Sequence, residues 1–168
     1  MPRKSVIVLV ALLACAVHAD DTHKIFIAAD KQTQITVPES WDGLELNENA
    51  EIQVGNAKDE AYLIVLNELK ADLHGWNIDR HSRVTLGQLL SSVAFPVITG
   101  PKSITVGGSP AIQYEIRGAA ENRNVVYVHT TIDGSKYYSQ ILAWTLPSRA
   151  EKIYPRLMKA IATFREVD

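Results

Sequence analysis

Cysteine is almost missing: Cys15 is the only one in 168 residues, so no intrachain disulfide can form and stability must come from packing. No apolar run reaches the ~20 residues that a membrane-spanning helix needs; the run from Val6 to Val17 falls short. Basic excess is missing too. The formal net charge is −2, and a mildly acidic surface argues against a nucleic-acid binder, which needs a positive face for phosphates. There is no low-complexity segment, no internal repeat and no nucleophile–base constellation. Gly100-Pro101 and Gly107-Gly108 read as turns that do not precede helices, so they make no phosphate cradle, and no cofactor is expected.

The N-terminus has the three parts of an export signal: basic Arg3 and Lys4, the apolar run, and a polar exit at His18 to Thr22. Residues 1–19 are therefore expected to be a signal peptide, and residues 20–168 one domain of ordinary size. Two processing sites compete. Val17-His18-Ala19 satisfies the small-x-small rule just before Asp20-Asp21, whereas Leu12-Leu13-Ala14-Cys15 offers a lipidation site at Cys15. Bulky Leu13 and the apolar residues after Cys15 favour the cut after Ala19. A periplasmic or secreted protein is the expectation, a lipid-anchored one through Cys15 the alternative, and neither carries a transmembrane helix.

From residue 24 onward the chain is strand-rich. Lys24 to Ala29, Gln34 to Val37 and Glu51 to Val54 are short alternating runs separated by turn residues. Ala61 to Leu69 differs, with Leu63 and Val65 on one face and Tyr62, Ile64 and Leu66 on the other, so it must be covered on both sides. Ser103 to Val106, Ala111 to Arg117, Asn124 to Ile132 and Lys136 to Leu146 read as a further strand and a three-stranded antiparallel meander. Thr85 is placed as N-cap of a helix from Leu86 to about Phe95, stopped by Pro96. A second helix opens on the capping box Ser148-x-x-Glu151 and carries Ile153, Leu157, Ala160, Ile161 and Phe164 on one stripe. Pro155 should kink it or delay its start. The fold class is α+β: one mostly antiparallel sheet with helices packed on it.

The stretch "ADLHGWNIDRH", residues 71 to 81, gathers Asp72, His74, Asp79 and His81, residue types that ligate zinc, although the spacing matches no established signature. His129 lies mid-strand and is expected to be half-buried with a satisfied ring. Trp41, Trp76, Tyr127, Tyr137, Tyr138 and Trp144 are many aromatics for one small domain. Adjacent Tyr137 and Tyr138 must point to opposite faces, so one of them is a candidate for an exposed partner surface.

The strand-to-Trp41 stretch "ITVPESW", the approach "VGGSPAIQYEI", the hairpin at Asp133-Gly134 and the closing "KAIATFR" resemble the PsbP-like superfamily, which includes photosystem II extrinsic subunits and DcrB-type bacterial envelope lipoproteins. The resemblance spans about residues 24 to 166. It implies an α/β/α sandwich and a non-enzymatic binding or assembly role. Only Pro38, Trp41, Gly107 and Pro110 map onto it, as turn and packing residues. The expected function is thus an exported, non-catalytic envelope module that binds another protein or a small ligand. The alternative is a metal carrier or metal-assisted hydrolase built on Asp72, His74, Asp79 and His81.

Overall fold

The computed structural model describes residues 22–167; the export segment, both of its cleavage options and Cys15 lie outside the described residues. Strands β1 (His23–Ile27), β2 (Thr33–Pro38), β3 (Asp42–Gly43), β4 (Ile52–Asn56) and β5 (Ala61–Leu69) lead to helix α1 (Ile78–Leu90). Then follow β6 (Ala94–Val106), β7 (Ser109–Ala120), β8 (Arg123–Asp133), β9 (Tyr137–Thr145), helix α2 (Ala150–Ala162) and β10 (Arg165–Glu166).

The meander is present, and tight hairpins make its strands longer than their apolar runs. Gly107 and Gly108 turn β6 into β7, and Glu121 and Asn122 turn β7 into β8, all four with positive φ. Such two-residue turns match the right-handed twist of paired strands. The antiparallel expectation holds, but not as one sheet. Seven strands order as β3-β4-β5-β9-β8-β7-β6, while β1, β2 and β10 form a separate three-stranded sheet. The chain leaves β2 at Pro38, turns through the Trp41 N–H to Pro38 carbonyl bond, and starts the large sheet afresh beyond the fully buried Trp41.

Strand β5 is clad on both faces, as its double apolar pattern requires. On one face Leu63 and Val65 join Val128, Ile141 and Ala143 beneath α2 and the small sheet, whose Ile35, Val37, Ile153, Leu157 and Phe164 complete the main core. On the other face α1 packs on β7, β8 and β9, with Leu86, Leu89, Val93 and Ile116 as a smaller cluster.

Both helices start differently from their sequence signals. Helix α1 begins at Ile78, capped by the Asn77 side chain, which accepts from the Arg80 N–H at 2.9 Å. Thr85 is not a cap. It lies mid-helix, and its hydroxyl donates back to the His81 carbonyl at 3.0 Å, a local bond open to Thr inside helices. Three of the five buried residues of α1 are polar (His81, Ser82, Thr85), which hides the first two turns from a search for apolar periodicity. Pro96 does not end the helix. It falls in β6, an edge strand whose outer N–H positions need no partner. Helix α2 buries Ile153, Leu157, Ala160 and Ile161, as its stripe predicts. Its start is delayed by a 3-10 turn over Pro147–Arg149, and Arg149 stands at the N-cap without a side-chain cap bond, so the capping box is not formed. Pro155 sits within the helix on its exposed side.

Candidate functional site

The predicted metal-ligand stretch does not converge. Asp72 ends a 3-10 turn, His74 follows it, and Asp79 occupies the first turn of α1, all three exposed, whereas His81 is fully buried. Residues two apart on a helix project to different sides, so Asp79 and His81 cannot share a ligand. Among the described residues no group of three or more His, Cys, Asp or Glu side chains is placed to hold a metal ion. His81 instead gives its Nε2–H to Glu68 Oε2 on β5 at 2.6 Å and stacks on Tyr138, with ring centroids 5.1 Å apart. The Tyr138 hydroxyl donates to the Trp76 carbonyl at 3.1 Å. The stretch thus docks α1 on the sheet.

Tyr137 and Tyr138 do point to opposite faces, but neither is a surface aromatic. They are 8% and 7% exposed, Tyr138 beneath α1 and Tyr137 on the other side, its N–H held by Glu166. The reason is coverage: both faces of β9 are roofed at this end, a tertiary fact that alternation along one strand does not contain.

His129 is buried completely rather than by half. Because the Thr85 hydroxyl spends its proton on the helix backbone, it accepts from His129 Nε2–H at 3.0 Å. That leaves His129 Nδ1 without a partner. Burial, reinforced by the nearby His81, pulls the imidazole down to about 4, because a charged ring here would lose its hydration, which a hydrogen bond to its own backbone offsets only in part. His81 Nδ1, Ser82 Oγ and Thr131 Oγ1 are likewise buried and unpartnered.

Helix α1 ends before it has covered the whole face, and a row of aromatics lies beyond it. The strand registers place Gly55, Tyr62, Trp144, Tyr127, Ile116 and Ile98 side by side across β4, β5, β9, β8, β7 and β6. Tyr62 and Trp144 stack at 5.4 Å, with 21° between their planes, and Tyr127 tilts against Trp144 at 6.1 Å and 45°. All three are half-buried. The next member of the row is Gly55, where a Cβ would strike the Ala61 carbonyl, so β4 contributes no side chain there and Leu44 Cδ1 reaches to 3.0 Å from that position instead.

These rings floor a cleft of about 480 Å³, within the usual range for ligand sites. Ile64, Leu142 and Val125 deepen the floor, Leu89 and Ser92 of the α1 end form one wall, and Leu46-Asn47 and Ala120-Glu121 stand at the sides. The remaining wall is an ion pair, Arg123 Nη2 to Glu60 Oε1 at 3.0 Å, with the Tyr62 hydroxyl donating to the other Glu60 oxygen at 3.1 Å. The Arg123 bond holds the Glu60 carboxyl below its ordinary value against the opposing effect of burial. Burial raises the Tyr62 and Tyr127 phenols, helped by Glu60 and Glu121 respectively, so both remain neutral donors. Sequence reading singled out Tyr127 and Trp144 but missed Tyr62, Glu60 and Arg123 as site residues. Their only signal was the interstrand register, which pairs residues from distant parts of the chain.

No protein-family model matches the chain, and no curated protein matches it by sequence. Solved structures do. LpqN of Mycobacterium tuberculosis, involved in cell envelope biogenesis, superimposes with a TM-score of 0.62 at 12% identity over 88% of this chain and 91% of its own. Cyanobacterial PsbP (CyanoP) of Synechocystis gives 0.64 at 9% identity over 93% and 99%. The yeast (Saccharomyces cerevisiae) Ran-binding protein Mog1p gives 0.61 at 14% over 88% and 96%. Identities this low establish architecture alone: the chain has a PsbP-like α+β fold.

Proposed function

We propose that this protein is an exported, non-catalytic binding module of the cell envelope, and that the aromatic cleft beyond the end of α1 is where it engages its partner. The observation that carries the cleft is the row Tyr62, Trp144 and Tyr127, three large rings left half-open on a face whose remaining length is roofed by a helix. Trp and Tyr are enriched where binding energy concentrates, because they bring large, stiff, amphipathic area. Residues 1–19, with their basic start and apolar run, support export. No helix among the described residues is long and apolar enough to cross a membrane. The likeness to an envelope-biogenesis protein supports the compartment.

The test compares retention of partners from envelope extract by the wild type, by Tyr62→Ala/Trp144→Ala, and by Ile25→Ser on the exposed side of β1 in the small sheet. A partner kept by wild type and Ile25→Ser but lost by the double variant supports the cleft. A partner kept equally by all three removes the cleft from the reading.

A further inference from the structure

Apart from the Arg123–Glu60 ion pair, the exposed charged side chains beside the cleft are mostly acidic. Glu121 stands on the hairpin wall, and Glu45 and Glu48 flank the Leu46-Asn47 wall, all three exposed. Of the cations, Arg123 is committed to Glu60, and Arg149 lies near enough to act on the same carboxylate. The α1 end adds to this. The last turn of α1 contains no basic residue, and the carbonyls of Gln88 and Leu89 are answered by the hydroxyls of Ser91 and Ser92 at 2.7 and 2.8 Å. Hydroxyls satisfy those carbonyls without cancelling the partial negative charge of a helix C-terminus. Carboxylates, a helix C-terminus and the half-exposed rings of the row all attract the same thing, an organic cation with an apolar stem.

We propose that the cleft receives an arginine- or lysine-bearing extended segment of a partner protein, with the apolar part of the segment on Trp144, Tyr127 and Leu142 and its cation between the Tyr62 ring and the glutamates. This rests on the cleft being the binding site, and it adds the partner's chemistry. A protein segment suits the site better than a small headgroup, because the cleft is a broad surface that spans from Leu46 and Asn47, over the three half-exposed rings, to Ala120 and Glu121. A headgroup would leave that surface wet, whereas alternate side chains of an extended peptide cover it.

The experiment follows backbone and indole NMR signals of the protein during titration with four probes. These are a six-residue peptide alternating arginine with leucine, its citrulline counterpart, its glutamate counterpart, and phosphocholine; Trp144→Phe assigns the indole. The expected result is saturable shifts at Trp144, Tyr62 and Tyr127 for the arginine peptide, about tenfold tighter than for citrulline and weakening as salt is raised. Glu45→Gln/Glu48→Gln/Glu121→Gln should erase that preference while leaving the spectrum of the free protein folded. Equal binding of the arginine and citrulline peptides in the cleft overturns the cationic partner and leaves the cleft standing, as does tighter binding of the glutamate peptide. Phosphocholine binding in the cleft without the arginine peptide also overturns it, in favour of a lipid headgroup. Shifts confined to other surfaces for every probe overturn both the partner chemistry and the cleft.

Discussion

Beneath α2, Val65, Val128, Ile141 and Leu157 are fully excluded from water, and buried polar side chains there answer one another, Gln113 with Thr130 at 2.9 Å and Ser139 with Asn67 at 2.8 Å. Beneath α1, on the opposite face of the same sheet, His81, Ser82, Thr85, His129 and Thr131 are just as buried, yet four of their polar atoms have no partner, against Trp41 Nε1 and Thr145 Oγ1 on the α2 side. Past the end of α1 that face opens into the aromatic cleft. The first face is a conventional core, sealed further by the C-terminus: Glu166 accepts from the backbone N–H groups of Ser135, Lys136 and Tyr137 and so fastens β10 beside the β8–β9 turn. The second face gives up packing stability and keeps a concave, partly polar surface. Binding surfaces are commonly drawn from the less stable parts of a fold.

The largest expected effect sharpens this contrast. Leu157→Ala, at a fully buried position, should cost about 2–5 kcal/mol by the lost transfer energy and the cavity left behind. Leu89→Ala under α1, 9% exposed at the cleft edge, should cost roughly half as much, because solvent can reach the space vacated. Urea unfolding of both decides, and equal losses would erase the distinction between the faces.

Acid should act mainly through the α1 side. The folded His129 titrates at about 4 against about 6.5 when unfolded, so between these values the unfolded chain binds the extra proton. Stability conferred by the neutral ring is complete above about pH 6.5 and is lost as pH falls toward 4, by about 3 kcal/mol at most. Glu68 faces His81 from β5 at 2.6 Å, so the informative measurement is a difference. His129→Gln, which keeps a donor for Thr85, should flatten the slope of unfolding free energy between pH 6.5 and 4 relative to wild type. Identical slopes would mean that His129 charges freely in the folded state.

Trp144→Ala should cost about 1–2 kcal/mol in stability, since it removes a half-buried ring and two cross-strand aromatic contacts. A loss as large as that of Leu157→Ala would show the row to be core rather than site. The smallest effect belongs to Glu166→Gln. Burial alone would raise this carboxyl, but the Ser135 hydroxyl and the N–H groups of Tyr137, Lys136 and Ser135 outweigh it and hold it below its ordinary value. The side chain is partly solvated, so the neutral amide should cost only about 1 kcal/mol. Hydrogen exchange at residues 165–167 is the sensitive readout, and an unchanged rate would sink the fastening role.

The sequence was most legible where burial is apolar. Strand β5 was readable from end to end because Leu63, Val65, Ile64 and Tyr62 show both faces covered, and the α2 stripe was readable because Ile153, Leu157, Ala160 and Ile161 are all apolar. It was least legible in α1, where His81, Ser82 and Thr85 take buried positions that a hydrophobic pattern assigns to solvent. The same cause made Asp72, His74, Asp79 and His81 look like a ligand loop: His81 is drawn into the α1–sheet contact by Glu68 and Tyr138, and the others stay outside. Tyr137 and Tyr138 could be assigned to opposite faces by alternation, but not to the surface, because exposure depends on what lies above each face.

By itself, then, the chain specified its strands, its second helix, its antiparallel meander and the two-sided burial of β5, since these follow from residue periodicity and turn chemistry over short distances. Tertiary structure alone decided the split into two sheets, the reach of α1, and the alignment of Tyr62 on β5 with Trp144 on β9 and Tyr127 on β8. Those three rings come from separate stretches of the chain, and only the hydrogen-bonded register of the sheet sets them in one row.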